Sequence, residues 1–225
     1  MTVFPRRYVD AKYEGQKNHA GSFIIGLDLD GVCYEWDKTA RHLLNTKIEA
    51  DGRVPHSTLL DESRSWNALK DAIPPEDWKW LWSDAVDMGL FRYGHIVTGA
   101  IEGAKAINRL GQIHIVTSRP SSAVKDTEDW LNLMFDRVDY QELHILSNHE
   151  SKTSIWPKPD VYIDDALHNV EDILENSDAL VILLDRPWNQ TTSKRLSERV
   201  ARVCDWPGIV KATKWARFVG DFKTL

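Results

Sequence analysis

Short, continuously apolar runs alternate with helical segments along this chain, and that order limits its fold more than any other feature of the sequence. The runs are rich in β-branched residues and lack the polar alternation of a half-exposed strand, which indicates strands buried on both faces. Helical segments between such strands are typical of a parallel sheet covered by helices. The sequence therefore predicts an α/β fold, with strands at Phe23–Leu29, Gln112–Val116, Leu143–Leu146, Val161–Ile163 and Ala179–Leu184.

The predicted organisation of the chain follows from where this alternation holds. A core is predicted over 23–34 and 96–190, because these two segments contain the predicted apolar strands. Residues 35–95 show helical patterns alone, so we expect a small helical cap inserted after the first strand. The remaining 1–22 and 191–225 are expected to form an N-terminal extension and a C-terminal helical tail.

Composition and charge exclude several classes of function. Apolar residues make up 42% and charged residues 28% of the chain, as in an ordinary globular protein. The formal net charge of −6 argues against a nucleic-acid polymer as partner, and no apolar stretch reaches the roughly 18 residues of a membrane-spanning helix. Cys33 and Cys204 have no metal-type spacing and the eight histidines show no metal-ligand pairing. A reducing cytoplasm is therefore the expected location.

Polar residues that could take part in catalysis or ligand binding follow four of the predicted strands. Asp28 and Asp30 stand two positions apart at the end of the first strand, and Thr117-Ser118 ends the second. Lys152 lies in the loop after the third strand, and Asp164-Asp165 ends the fourth. Since the carboxyl ends of parallel strands meet at one edge of a sheet, these residues are predicted to form one site.

A site of this composition is suited to phosphoryl chemistry. Carboxylates about 4 Å apart repel one another by roughly 4 kcal/mol at an effective dielectric near 20, so the cluster must hold protons or bind a cation. Oxygen ligands of this kind suit Mg²⁺, which accepts a phosphate oxygen as a further ligand. A hydroxyl and a lysine complete the surroundings that a phosphoryl group requires, and a carboxylate is a competent nucleophile for it. Taken singly, each motif also fits a turn, a helix cap or a solvated charge.

The ordered series Asp28–Val32, Thr117, Lys152 and Asp164-Asp165 resembles the four motifs of the haloacid dehalogenase-like phosphohydrolases, over roughly residues 23–190. That resemblance implies a Rossmann-like parallel sheet flanked by helices. Asp30 favours the phosphatases of the superfamily, since the haloacid dehalogenases proper lack a second acid at that position.

Within the superfamily the chain most resembles the 5′(3′)-deoxyribonucleotidases. The similarity rests on the helical insertion after the first motif, on Gly89-Leu90-Phe91 before the helix that begins with Gly99–Ala104, and on Trp130 in the helix after Thr117-Ser118. Asp185–Asn189, after the last strand, is a further similarity.

The resemblance implies a role for each aspartate. Asp28 would attack phosphorus and ligate Mg²⁺. Asp30 would protonate the leaving oxygen and then deprotonate the attacking water, while its backbone carbonyl joins the metal shell. Asp164 and Asp165 would complete the metal site, either directly or through water.

The other site residues implied by the resemblance surround the phosphoryl group. Thr117 would donate a hydrogen bond to its oxygens, and Ser118 and Arg119 would contact the substrate. Lys152 would offset the negative charge, although Lys158 is a rival for this role because the segment from Lys152 to Asp164 is slightly longer than the usual spacing.

The tryptophan-rich insertion offers candidates for recognising a base. Trp66, Trp78 and Phe91 are the predicted substrate contacts, while the alternative is that such rings form the core of a helical cap.

The implied function is Mg²⁺-dependent hydrolysis of (deoxy)nucleoside monophosphates. The alternatives are a phosphatase for another small phosphomonoester or a nucleic-acid 3′-phosphate, and a non-catalytic nucleotide-binding protein. A homodimer is a further possibility.

Overall fold

A computed structural model describes most of the chain, namely residues 7–8, 22–55, 63–136, 138–147, 150–190 and 197–218. Apart from residues 7, 8 and 22, the predicted N-terminal extension lies outside this part. Among the described residues, no helix combines the length and the apolar character that crossing a bilayer requires.

The strands of the described chain are β1 (Arg7–Tyr8), β2 (Ile24–Leu27), β3 (Gln112–Ser118), β4 (Glu142–Leu146), β5 (Val161–Asp164), β6 (Leu180–Leu184) and β7 (Val200–Val203). They form one seven-stranded sheet in the order β1-β4-β3-β2-β5-β6-β7. All neighbouring strands pair in parallel, as the buried apolar runs predict. The predicted α/β fold with a Rossmann-like sheet is confirmed.

The α-helices are α1 (Trp36–Ala50), α2 (Ala68–Ala72), α3 (Pro75–Leu81), α4 (Asp84–Asp87), α5 (Ala100–Asn108), α6 (Val124–Met134), α7 (Leu167–Asn176) and α8 (Trp206–Phe218). Helices α5, α6 and α8 pack on one face of the sheet, and α7 packs on the other. Successive strand residues serve opposite faces, so that Ile163 belongs to the first layer of packing and Tyr162 to the second.

The region predicted as a helical tail contains a strand as well as a helix. Strand β7 pairs with β6 at the edge of the sheet, and α8 buries Trp206 against the core. The Trp206 indole donates a hydrogen bond of 3.0 Å to the carbonyl of Val32. A Cβ at Gly103 of α5 would lie 2.2 Å from the Trp206 ring, so only glycine allows this approach. The short Val-Ala-Arg-Val run of β7 lacks the continuous apolar character by which the inner strands were recognised.

Helices α1 to α4 fill the insertion between β2 and α5, and they enclose a separate small core that includes Leu44, Leu81 and Leu90. The pattern over Glu76–Val86 predicts one helix, but the structure divides it between α3 and α4. The break falls at Ser83, whose backbone leaves the helical region and whose hydroxyl donates a hydrogen bond of 3.0 Å to the carbonyl of Lys79.

Candidate active site

The loop after β2 brings the first motif to the carboxyl edge of the sheet. The Asp28 backbone amide still pairs with the carbonyl of Ile163 at 3.0 Å, which continues the β2–β5 ladder by one residue. The chain then turns at Gly31, whose φ of +79° lies in the left-handed region. A Cβ at Gly31 would also lie 2.1 Å from Oδ2 of Asp165, so glycine is required both for the turn and for the close approach.

The predicted carboxylates converge at this edge. One oxygen each of Asp28, Asp164 and Asp165 lies within 4.8 Å of the others, and all three residues are buried. Lys152 is buried among them, with Nζ 2.9 Å from Oδ1 of Asp28 and 2.7 Å from Oδ2 of Asp164. The rival Lys158 is exposed. Of the two lysines, Lys152 is therefore the one that the structure places in the cluster.

Burial and mutual repulsion dominate the electrostatics of this cluster. Burial raises the pKa of Asp28 to about 7, although Lys152 acts in the opposite direction and Asp164 adds to the increase. Burial, with Asp164 and Asp28 as further causes, also raises the pKa of Asp165 well above its ordinary value. Burial alone would lower the pKa of Lys152, but the two carboxylates raise it. One lysine does not balance three carboxylates, so the site needs a further cation or protons.

Residues to which the sequence analysis gave no role hold the carboxylates at the end of β5 in place. Asn169 of α7 donates to both oxygens of Asp164 at 3.1 and 3.2 Å, and the backbone amide of Ala166 donates to Oδ1 at 2.9 Å. The Trp188 indole donates to Oδ2 of Asp165 at 2.7 Å. Trp188 lies in the Asp185–Asn189 segment, where the resemblance gave a signal but no role.

The side chain of Asp30 is not part of the carboxylate cluster but pairs with Arg119. Nε and Nη2 of Arg119 lie 2.9 and 2.6 Å from the two oxygens of Asp30, which is a bidentate ion pair. The guanidinium is almost fully buried between the rings of Tyr34 and Phe91, 4.8 Å from each centroid. Its third hydrogen bond, of 3.1 Å, goes to Thr127. The structure therefore places Arg119, predicted as a substrate contact, where it fixes the position of Asp30.

Two hydrogen-bond donors near the strand ends have no partner among the described residues. Within the described part of the chain, Oγ1 of Thr117 is buried without a hydrogen bond, and so is Nη2 of Arg186. Arg186 is nevertheless held at the site, because its Nε donates to the carbonyl of Gly31 at 2.6 Å. A buried donor without a partner is costly, and a ligand with anionic oxygens would satisfy both. Ser118, which ends β3, is half-buried.

The predicted aromatic contacts separate into different environments. Trp66 is 57% exposed and lies edge-on to His168, which follows Asp164-Asp165, with ring centroids 4.7 Å apart. Phe91 is buried against Arg119. Trp78 packs edge-on against Trp82 inside the insertion, at 5.7 Å. Trp66 and Phe91 thus border the site, whereas Trp78 belongs to the packing of the insertion.

The fold and the site define a class. A parallel sheet whose strand ends gather an Asp-x-Asp-Gly loop, a threonine, a lysine and two adjacent aspartates has the arrangement of haloacid dehalogenase-like proteins. Solved structures of that class confirm the fold. A haloacid dehalogenase-like hydrolase from Xanthomonas campestris is 15% identical, with a TM-score of 0.56 over 87% of this chain and 96% of that one. A HAD-superfamily hydrolase from Geobacter sulfurreducens is also 15% identical, with a TM-score of 0.55 over 88% of this chain and 100% of that one.

A particular family follows from comparison with protein families. Residues 22–214 match the family described as 5′ nucleotidase, deoxy (pyrimidine), cytosolic type C protein, or NT5C. The chain belongs to this family. It is also similar to the 5′(3′)-deoxyribonucleotidase of Bacillus subtilis (strain 168), with 28% identity over 126 residues. That match spans 55% of this chain and 65% of the relative, slightly less than two thirds of the relative's length.

Proposed function

We propose that this chain is a Mg²⁺-dependent phosphomonoesterase that hydrolyses (deoxy)nucleoside monophosphates through an aspartyl-phosphate intermediate. The observation that carries the proposal is the buried cluster in which Asp28 lies beside Asp164, Asp165 and Lys152. Membership of the NT5C family and similarity to a 5′(3′)-deoxyribonucleotidase support the substrate class.

The donor set fits Mg²⁺. Three buried carboxylates with oxygens within 4.8 Å of one another supply hard oxygen ligands, and the excess negative charge requires a cation. We propose that Asp28, Asp164 and Asp165 hold the ion, directly or through water, and that the backbone carbonyl of Asp30 joins them. When bound, Mg²⁺ supplies positive charge that stabilises the phosphoryl oxygens in the transition state.

Asp28 and Asp30 divide the covalent steps between them. An oxygen of Asp28 forms a bond to phosphorus while the bond from phosphorus to the ester oxygen breaks, and Asp30 gives its proton to that leaving oxygen. Asp30 then takes a proton from water as the water oxygen attacks phosphorus and the bond to Asp28 breaks. Arg119 holds both oxygens of Asp30 in the ionised form, which stands between the two steps; the protonated form, which donates to the leaving oxygen, keeps Arg119 on its other oxygen.

Thr117 and Lys152 stabilise charge rather than form bonds. The hydroxyl of Thr117, which has no hydrogen-bond partner among the described residues, donates to a phosphoryl oxygen. Lys152 favours the ionised form of the attacking carboxylate beside Asp164 and offsets charge on the phosphoryl group. Ser118 is proposed as an additional donor to the substrate.

The insertion 35–95 acts as a cap that selects the leaving group. Trp66 presents an exposed ring beside the helix that follows Asp164-Asp165, and stacking of a base on such a ring contributes roughly 1–3 kcal/mol. Phe91 contributes by shaping the wall around Arg119. Trp78 acts indirectly, through the packing of Trp82.

A panel of phosphate esters assayed with Mg²⁺ tests this proposal. The panel contains 5′- and 3′-(deoxy)nucleoside monophosphates, sugar phosphates, a 3′-phosphorylated oligonucleotide and p-nitrophenyl phosphate. We expect kcat/KM for nucleoside monophosphates to exceed that for sugar phosphates at least about tenfold, as stacking of one base would give. Equal rates would remove the nucleotide claim, and a preference for the oligonucleotide would replace it.

The Asp28→Asn variant is the control for chemistry. It removes the nucleophile while keeping the side-chain volume, so we expect turnover of every ester to fall at least roughly 10³-fold. A normal rate in this variant would rule out the aspartyl-phosphate mechanism.

The cytoplasmic location and the homodimer stay predictions.

A further inference from the structure

A second group of buried ligand-type side chains lies away from the carboxylate cluster. His114 of β3 stands opposite Glu142 of β4 in the parallel register, and His144 follows two residues later on β4. Because strand side chains alternate between faces, Glu142 and His144 share the sheet face opposite to that of Leu143, and His114 lies on it as well. The group is three residues, or roughly 10 Å of strand, before Thr117.

The donor atoms of this group form a nearly regular triangle. Nδ1 of His114 is 3.4 Å from Nε2 of His144 and 3.6 Å from Oε2 of Glu142, and Nε2 of His144 is 3.2 Å from the same oxygen. Zinc binds imidazole nitrogen and carboxylate oxygen at roughly 2.0–2.2 Å in tetrahedral geometry, which separates the ligand atoms by about 3.3–3.5 Å. The triangle therefore has the dimensions of one face of a zinc tetrahedron.

The chemistry of the donors also favours a transition metal. Two imidazoles and one carboxylate suit Zn²⁺, whereas Mg²⁺ prefers oxygen ligands alone. Both histidines are buried, and Nδ1 of His114 and Nε2 of His144 lie close to each other and to the carboxylate of Glu142. Glu142 is 27% exposed at its side chain, which leaves a path by which an ion can enter.

We propose that His114, Glu142 and His144 form a second metal site that binds Zn²⁺ with water in the fourth position. The ion would link β3 to β4 and stabilise this side of the sheet. The two sites then differ in their ions, because the strand ends offer carboxylates and the face of β3 and β4 offers imidazoles.

Zinc binding to the metal-free full-length chain tests this proposal, with millimolar Mg²⁺ present throughout so that the carboxylate cluster is supplied with its own ion. Equilibrium dialysis followed by metal analysis should give one Zn²⁺ per chain, and Zn²⁺ should raise the unfolding midpoint. Glu142→Gln and His144→Gln should each lower the zinc affinity at least roughly 10–100-fold and should abolish the shift in the midpoint. His42→Gln, which changes an exposed histidine on α1, should leave both measurements unchanged.

Two results would overturn the site. One is the absence of stoichiometric zinc in the unmodified chain. The other is zinc that survives Glu142→Gln and His144→Gln but is lost in Asp165→Asn, which would assign the ion to the carboxylate cluster. If His144→Gln does not fold, Glu142→Gln decides, because its side chain is partly exposed. Phosphatase activity with Mg²⁺ is measured separately, so failure of the zinc site leaves the proposed function standing.

Discussion

The carboxyl edge of the sheet and the helical insertion stabilise their buried side chains in different ways. At the edge, the carboxylates of Asp164 and Asp165, which end and follow β5, are fixed by hydrogen bonds from Asn169, Ala166 or Trp188. In the insertion, rings mostly pack on other rings, as Trp82 does on Trp36 and Trp78. The difference indicates that the edge holds charged groups in one geometry, whereas the insertion is held together largely by apolar contacts around its small core.

The two regions meet at Arg119. Its guanidinium holds Asp30 of the edge, while one of the rings that enclose it, Phe91, belongs to the core of the insertion. Tyr34, the other ring, accepts a hydrogen bond of 2.8 Å from the backbone amide of Gly94 and donates one of 2.5 Å to the carbonyl of Leu90. The orientation of Asp30, the proposed general acid, is thus coupled to the position of the insertion.

Replacing the buried Lys152 at the carboxyl edge of the sheet is expected to have the largest effect on activity. Lys152→Met keeps an unbranched side chain, one atom shorter, but leaves Asp28 and Asp164 without their shared partner at 2.9 and 2.7 Å. We expect kcat/KM to fall roughly 10²–10³-fold, equally for nucleotides and for p-nitrophenyl phosphate, because the loss is at phosphorus.

Lys158→Met is the matched control, since Lys158 is the exposed lysine of the same segment. Its kcat/KM should stay within about twofold of the unmodified value, as is usual for a surface change. A larger loss in Lys158→Met than in Lys152→Met would transfer the catalytic role to Lys158.

A substitution in the insertion should instead lower kcat/KM for nucleotides without affecting p-nitrophenyl phosphate to the same extent. Trp66→Ala removes the exposed ring beside His168. We expect kcat/KM for nucleoside monophosphates to fall roughly 5–150-fold, the equivalent of one stacked base, mainly through KM. Hydrolysis of p-nitrophenyl phosphate should remain within about twofold. Tyr93→Ala, at an exposed ring that packs on Arg92, is the control. An equal loss on both substrates would mean that Trp66 acts on the chemistry and not on recognition.

The contrast between the regions also explains how far the sequence could predict them. Asp28, Asp164 and Asp165 were predictable because each directly follows or ends an apolar strand, and parallel strands bring their ends together. The pairing of Asp30 with Arg119 was not, since the guanidinium is directed by Tyr34 and Phe91 from distant parts of the chain.

The histidine group illustrates the same limit. His114 and His144 have no spacing that indicates a metal site, and only the register of β3 on β4 brings them together. Strand β7 was missed because its pairing with β6, rather than its own apolar character, makes it a strand. Local pattern thus predicts the elements and their ends, whereas register and long side chains decide which residues meet.

The smallest expected effect tests whether the insertion holds its shape independently of the edge. Asp77, buried in α3, accepts hydrogen bonds of 2.8 Å from Arg53 and lies 2.9 Å from Nζ of Lys47. These partners lower the pKa of Asp77, although burial acts in the opposite direction. Asp77→Asn should therefore reduce the free energy of unfolding by about 1 kcal/mol at pH 7, with kcat/KM unchanged within about twofold.

The sign of the pH dependence follows from that lowered pKa. The ionised carboxylate stabilises the fold fully above its unfolded pKa near 4, and its contribution is lost as pH falls through the folded pKa. The difference in unfolding free energy between the unmodified chain and Asp77→Asn should be constant from pH 8 to about pH 5 and should shrink below pH 4. Urea unfolding at a series of pH values measures it. A difference that grows on acidification would show that Asp77 is held by burial rather than by its cations, and a parallel loss of turnover would show that the insertion and the edge form one cooperative unit.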